Sequence, residues 1–299
     1  MSMRVVRNSA EMQTLAVERR SRGVTVALVP TMGALHEGHL SLVRLAHEHG
    51  DEVDVTLFVN PAQFGPGEDL SQYPRTFERD VELCRAAGVS TVFCPDVGQV
   101  YAADHSTQVA ETRLSTGLCG AHRPGHFDGV VTVVAKLFNI MLPSSAVFGS
   151  KDFQQARVIR RMVRDLNFPV RIVLAPIVRE PDGLAMSSRN RYLSAREREQ
   201  ALSISRALKG AEAEAADGAL DTEALGKSVE SAMDAAGLTV QYVVCVDADT
   251  LEPVARLERP VLLAVAAFIG KTRLIDNVVL DLAAGADPSQ AGLTPVRQG

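Results

Sequence analysis

Val24-Thr25-Val26-Ala27-Leu28-Val29-Pro30-Thr31-Met32-Gly33-Ala34-Leu35-His36-Glu37-Gly38-His39-Leu40-Ser41-Leu42-Val43-Arg44-Leu45-Ala46 passes from an apolar run, through a small-residue turn, into a run with helical spacing. Residues 24–29 read as a buried strand and residues 40–46 as an amphipathic helix. A strand that feeds a helix through such a turn is built for phosphate. The backbone can come close, and N–H groups at the positive end of the helix dipole attract anions. His36 and His39 project from one face of the first helical turn. Such a pair either grips a polyphosphate while charge builds on it during nucleotidyl transfer, or is simply two partly exposed histidines. The preceding Pro-Thr-Met-Gly turn favours phosphate. A metal fits less well, since no third His or Cys ligand lies at a suggestive spacing.

Outward from this stretch, short β-branched runs alternate with helical ones. Strands are expected at residues 53–59, 89–94, 146–149 and 170–174, with helices at 77–87 and 153–166. That alternation predicts an α/β fold, a Rossmann-like, doubly wound parallel sheet whose ligands bind past the carboxyl ends of the strands. The texture changes after Pro176. Residues 195–236 are rich in Ala, Glu and Lys and read as two helices broken near Asp217-Gly218. Strand-like runs follow at 241–246, 261–268 and 274–282. The expected organisation is therefore a domain over 1–176 and a smaller C-terminal α+β domain over 177–299, with a mobile tail from Ala284.

Composition sets the bounds. The 299 residues are 46% apolar and 22% charged, which excludes a disordered chain. A formal charge of −5 argues against nucleic acid or a membrane as partner, so any anion site must be a local basic cluster. No apolar run approaches bilayer-spanning length, and Met1 to Arg7 lacks a signal-peptide core. Cys84, Cys94, Cys119 and Cys245 are scattered without a C-x-x-C pair, as expected for reduced packing residues in a cytoplasmic protein.

Further polar clusters follow the expected strands. In Phe58-Val59-Asn60-Pro61-Ala62-Gln63-Phe64-Gly65, Gln63 either holds a hydroxyl or carboxylate of a small substrate or belongs to a strand-capping turn. In Phe148-Gly149-Ser150-Lys151-Asp152-Phe153-Gln154-Gln155, Lys151 can meet phosphate oxygens while Asp152 caps the helix or touches a ribose. The bland alternative leaves Lys151 solvated. Met186-Ser187-Ser188-Arg189 can donate several hydrogen bonds to phosphates, and Ser194 with Glu197 forms a capping box at the helix entry behind it. Arg123 is a cation in a Gly/Pro loop that can meet an anion, beside a His126 that as easily makes a structural hydrogen bond. Asp80 either helps hold magnesium or lies on a solvated helix face.

These motifs resemble the pantoate–β-alanine ligase family of the nucleotidylyltransferase superfamily. His36-Glu37-Gly38-His39 resembles the superfamily's HIGH-type motif, and Ala185 to Arg189 its KMSKS-type loop. The narrower match comes from Phe58-Val59-Asn60-Pro61-x-Gln63-Phe64, Tyr73-Pro74-Arg75-Thr76, Arg123-Pro124-Gly125-His126-Phe127, Lys151-Asp152-Phe153-Gln154-Gln155 and Leu274-Ile275-Asp276-Asn277. The resemblance covers nearly the whole chain.

It implies an ATP-dependent ligase that joins (R)-pantoate to β-alanine through a pantoyl adenylate, yielding pantothenate, AMP and pyrophosphate. By the same resemblance Met32, Gly33, Ala34, Leu35, His36, Glu37, Gly38 and His39 line the ATP site, with His39 as the proton or hydrogen-bond donor. Gly149, Ser150, Lys151, Asp152, Val178, Met186, Ser187, Ser188 and Arg189 complete that site. Lys151, Ser187, Ser188 and Arg189 neutralise phosphate charge, and His36 works beside His39. Gln63 and Gln155 hold pantoate, with Gln63 also near β-alanine. The resemblance further implies Mg2+ carried mainly by ATP, a homodimer, and a C-terminal domain that acts as a lid. Two positions depart from the pattern. Ala62 replaces a usual Met, softening an apolar wall near pantoate, and Ser150 replaces a usual Glu beside the nucleotide. Two rivals are a nucleotidylyltransferase with a phosphorylated acceptor and a nucleotide-binding regulator without catalysis. The first calls for extra cations, and the second for decay of reactive positions that are in fact present.

Overall fold

The computed structural model describes residues 3–281, and by internal contacts the chain forms two units. One comprises the residues up to Gly149 together with Gln155–Ala175; the other comprises Ser150–Gln154 and the chain from Pro176. In chain order the first unit begins with β1 (Arg4–Val6), α1 (Ser9–Ser21), β2 (Val26–Thr31), α2 (Glu37–Ala46) and β3 (Glu52–Leu57). It continues with α3 (Phe77–Ala86), β4 (Thr91–Phe93), and short α4 (Val97–Val100) and α5 (Leu118–His122). Last come α6 (His126–Met141), β5 (Ser145–Gly149), α7 (Phe153–Asp165, of which the first two residues count with the second unit) and β6 (Arg171–Ala175).

The six strands pair in parallel in the order β1-β4-β3-β2-β5-β6. β2 is central because its neighbours come from opposite directions of chain travel, β3 on one side and β5 on the other. The chain reverses its direction of sheet building there, and crevices for ligands open at the carboxyl end of such a strand. Its residues Ala27, Leu28 and Val29 are completely buried, as expected for a run covered on both faces. On α2, Leu42, Val43 and Ala46 form the buried face.

β1 and α1 are absent from the sequence reading, and one further segment departs from it. Residues 122–129, read as a Gly/Pro loop, instead end α5 and begin α6 after Gly125, whose left-handed φ of 76° turns the chain. α6 is buried along most of its length, with Asp128, Lys136 and Asn139 at helical spacing among its less buried positions. At the amino ends of the strands, the buried Arg19 guanidinium reaches Asp54 at 2.8 Å, Glu52 at 2.5 Å and the Thr91 hydroxyl at 2.7 Å. Burial pushes the Asp54 carboxyl up to about 6, against the lowering effect of Arg19.

In the second unit, α8 (Ala195–Ala216) and α9 (Thr222–Ala235) precede an antiparallel sheet of β7 (Thr239–Asp247), β8 (Val261–Ile269) and β9 (Thr272–Leu280), with β8 central. The capping box is present: Ser194 Oγ accepts the Glu197 N–H, and the Glu197 carboxylate accepts the Ser194 N–H at 2.8 Å. Gly218, at φ 100°, breaks the two helices where expected. Their buried faces, through Leu208, Leu225 and Met233, meet Val261, Leu263 and Val265 of β8 in one core. Residue 282 and the tail from Ala284 lie outside the described residues. Cys84, Cys94 and Cys245 form no disulfide, and among the described residues no helix is long and apolar enough to cross a membrane.

Candidate active site

The turn between β2 and α2 is held by its own backbone donors. Thr31 and Thr56 exchange hydrogen bonds, with Thr31 Oγ1 donating to the Thr56 carbonyl at 2.6 Å, which pins the ends of β2 and β3 together. Gly33 (φ 83°) and Ala34 (φ 51°) then take left-handed conformations in succession. The Gly33 N–H donates to Thr31 Oγ1, the Ala34 N–H to Asp80 Oδ2 at 2.8 Å, and the Leu35 N–H to Asp80 Oδ1 at 2.9 Å. The His36 N–H donates to His39 Nδ1 at 3.3 Å. The sequence reading assigns anion binding to this turn's N–H groups, yet those of residues 33–36 are all taken up by side chains. Among the described residues nothing takes up the N–H groups of Glu37 and Gly38, at the first turn of α2.

The His36–His39 bond also fixes chemistry. Because His39 Nδ1 accepts, the neutral ring carries its proton on Nε2 and offers it as a donor. His36 and His39 are half-buried, with ring centroids 4.1 Å apart, on the face foreseen from their spacing.

Gln63 follows β3, in a single 3-10 turn whose N-cap is Asn60. Asn60 is almost fully buried, and its orientation is determined by its partners. Tyr101 Oη donates to Asn60 Oδ1 at 2.9 Å, so the amide NH2 faces the Gly129 carbonyl at 3.0 Å and Gln63 Oε1 at 3.2 Å. Burial pushes the Tyr101 hydroxyl up to about 12, against the lowering effect of the Asn60 hydrogen bond, so it stays a donor. Gln63 therefore keeps its NH2 outward, near Met32 Sδ at 3.1 Å. Its backbone carbonyl accepts from His126 Nδ1 at 2.8 Å. A carbonyl can only accept, so His126 carries its proton on Nδ1 and takes the Arg123 guanidinium N–H on Nε2 at 3.0 Å. Arg123, read from the sequence as an anion binder, grips Glu68 with two hydrogen bonds of 2.7 and 2.5 Å. Burial raises the Glu68 carboxyl, but Arg123 outweighs it and holds the group below its usual range.

α6 lies hard against this turn. A Cβ on Gly129 would stand 2.2 Å from the Ala62 carbonyl oxygen and 2.7 Å from the Gln63 nitrogen. The strand-capping reading of the turn holds, and the same turn carries Gln63. Gln155 is half-buried in the first turn of α7.

In the second unit, two candidate segments are anchored by neighbouring residues of β9. Asn277 Nδ2 donates to the Ser150 and Lys151 carbonyls, both at 3.0 Å, fixing the turn that carries Lys151 and Asp152. Asp276, 3% exposed, accepts two hydrogen bonds from Arg179 at 2.6 and 3.1 Å. Arg179 lies in a small hairpin in which the Met186 N–H donates to the Val178 carbonyl at 3.0 Å, bringing those two candidates together. Ser187 then caps a 3-10 turn, accepting the Arg189 N–H at 3.2 Å, and Asn190 ties that turn to Glu180 and the Ala185 carbonyl. The sequence contains Asp276-Asn277 but carries no sign of this role, because both partners are remote in the chain.

Asp80 departs from one of its readings: at 2% exposure it is not on a solvated helix face. As a magnesium ligand it is poorly placed, because its oxygens already take the Ala34 and Leu35 N–H groups and the Thr76 hydroxyl. Among the described residues no group of three His, Cys, Asp or Glu side chains could hold a metal. The residues do not fit a protein-held ion.

Comparison with known proteins gives the frame. The family model described as pantoate-beta-alanine ligase matches residues 4–279. The chain belongs to that family. The pantothenate synthetase of Thermotoga petrophila is 52% identical over 279 residues, covering 93% of this chain and 100% of the relative. The crystal structure of pantothenate synthetase from Thermus thermophilus superimposes with a TM-score of 0.89 at 43% identity, over 93% of this chain and all of that one. The pantoate-beta-alanine ligase of Francisella tularensis, complexed with beta-gamma ATP and beta-alanine, gives a TM-score of 0.77 at 31% identity, over 96% of this chain and 100% of its own. Membership in the ligase family makes the chain an ATP-dependent ligase of pantothenate biosynthesis with the Rossmann-like sheet foreseen from its sequence.

Proposed function

We propose that this chain condenses (R)-pantoate with β-alanine at the expense of ATP, through a pantoyl adenylate. The observation that carries this reading is the arrangement at the carboxyl ends of adjacent strands β2 and β3. An imidazole pair with its donor set by a capping bond stands after one, and a glutamine with an oriented amide stands after the other. In the first step a pantoate carboxylate oxygen attacks the α-phosphorus, and the bond to the bridging oxygen of pyrophosphate breaks. His39 Nε2–H and His36 donate to phosphate oxygens as charge grows on the leaving group, and Gln63 with Gln155 orients pantoate. Lys151, with Ser187, Ser188 and Arg189, adds positive charge and donors for the same nucleotide. In the second step the amine of β-alanine attacks the acyl carbonyl, AMP leaves with the C–O bond electrons, and the amine sheds a proton.

Met32 to Leu35 and Gly149 to Asp152 supply the rest of the nucleotide site, together with Val178 and Met186. Mg2+ arrives on the ATP phosphates, which supply its ligands. The enzyme works as a homodimer in the cytoplasm, with residues 177–299 acting as a lid, as the family resemblance supports. The test is pyrophosphate release from ATP with pantoate alone, with a mononucleotide and with phosphopantetheine. Release with pantoate only, followed by pantothenate on addition of β-alanine, is the expected result. Release with a phosphorylated acceptor, or with none, refutes the reading.

A further inference from the structure

Asp80 belongs to neither the phosphate donors nor the acid site, yet it is among the most buried charged residues, at 2% exposure. It lies in the first turn of α3, 45 positions along the chain from the nearer of the two amides it binds. Successive left-handed residues at Gly33 and Ala34 turn the Ala34 and Leu35 N–H groups toward one side, forming a concavity of the kind that normally takes up an anion. Here the anion is internal. Asp80 Oδ2 and Oδ1 accept one N–H each, and Thr76 Oγ1 braces both oxygens at 3.1 Å. The fit leaves little slack, for a Cβ on Gly33 would come within 3.1 Å of Asp80 Oδ2. A non-glycine residue such as Ala34 avoids the left-handed region unless its surroundings impose it. The bond from Asp80 supplies that constraint one residue before Leu35 and two before His36.

We infer that Asp80 is a positioning residue for adenylyl transfer: an internal counter-anion that occupies the loop's amide concavity and sets the angle at which His36 and His39 meet the phosphates. This rests on the assignment of those histidines to ATP. It accounts for two facts at once: the amides of Ala34 and Leu35 are closed to phosphate, and a buried carboxylate meets backbone amides and a hydroxyl in place of a cation.

The test compares wild type, Asp80→Asn and Thr76→Val by amide hydrogen exchange and by pantoate-dependent ATP–pyrophosphate exchange. Asn presents an NH2 to one of the two backbone donors, and Val removes only the brace. In Asp80→Asn the Ala34 and Leu35 amides should exchange at least about tenfold faster while those of Leu28 and Val29 are unchanged. Turnover should fall ~100-fold, as a misplacement near 1 Å does elsewhere, with KM for β-alanine and the Mg2+ half-saturation unaltered. Thr76→Val should move the same quantities in the same direction by a smaller factor, and stands in if Asp80→Asn does not fold. Unchanged amide exchange in the variants overturns the inference, as does turnover restored by raising Mg2+, which makes Asp80 a metal ligand. A wild type that shows no exchange with pantoate refutes the histidine assignment instead, while amide exchange still judges the grip of Asp80 on the loop.

Discussion

Replacing Gly129 with Ala tests how the Gln63 turn is held, and the structure gives the size of the effect. The added Cβ would stand 2.2 Å from the Ala62 carbonyl oxygen and 2.4 Å from its carbon. A carbon and a carbonyl oxygen in close contact sit about 3.3 Å apart, so the turn or α6 must give by about 1 Å. α6 is fixed by its own buried residues, Val130, Val133, Val134 and Leu137, whereas Ala62 and Gln63 lie in a short turn. The turn is therefore the part that yields. Overpacking of this kind destabilises a fold by about 1–3 kcal/mol, which a chain of this size can survive. Its effect on chemistry is larger, since a 1 Å shift of a positioning group lowers rates by ~100-fold. Measured by pyrophosphate exchange, kcat/KM for pantoate should fall by about that factor while KM for ATP changes less than about threefold. Gln63→Ala should show the same bias toward pantoate. A folded Gly129→Ala protein with normal pantoate kinetics, or with equal losses for both substrates, refutes the argument.

His39→Ala removes the Nε2 donor and the acceptor for the His36 N–H, and should lower turnover about 100-fold or more in steady-state assays; near-normal turnover removes His39 from its role. Asn277→Ala leaves the Ser150 and Lys151 carbonyls without their shared donor and should raise KM for ATP in initial-rate measurements, with KM for β-alanine unmoved. The Asp54 carboxyl, raised from 3.8 to about 6 by burial, gives a pH effect of definite sign. Between those values the native state holds a proton that the unfolded chain has lost, so this group's contribution falls as pH rises, by about 3 kcal/mol over the window. Glu68 and Asp247, held below their usual range, act in the opposite sense. Urea unfolding at pH 4 and pH 7 should therefore show Asp54→Asn gaining more stability over that interval than wild type, and parallel profiles contradict the assignment.

What the sequence revealed, and what it hid, follows from the range of the interactions. The runs that became β2, β3 and β5 are short, apolar and bounded by turns, so period and composition suffice to find them. The Ser194–Glu197 box and the break at Gly218 are equally local. β1, at three residues, is too short to carry a pattern, and α6 opens inside a Gly/Pro stretch that reads as a loop. The site divides in the same way. His36, His39, Gln63 and Lys151 stand at strand ends and could be singled out from their neighbours in the chain. The grip of Asp80 on residues 34 and 35, of Asn277 on 150 and 151, and of Tyr101 on Asn60 spans tens of residues and leaves no local mark. The capping bond between two histidines was also hidden, because such boxes are sought as Ser or Thr followed by Glu or Gln.

Because Ser150–Gln154 is grouped with residues far downstream and held by Asn277, no single scission point divides this polypeptide into its two parts. A fragment stopped at residue 175 would retain the lysine turn yet forfeit the strand that anchors it, and the complementary piece would have the anchor with nothing to hold. Dissection, circular permutation or transplantation of either half must therefore carry those five residues across as a graft.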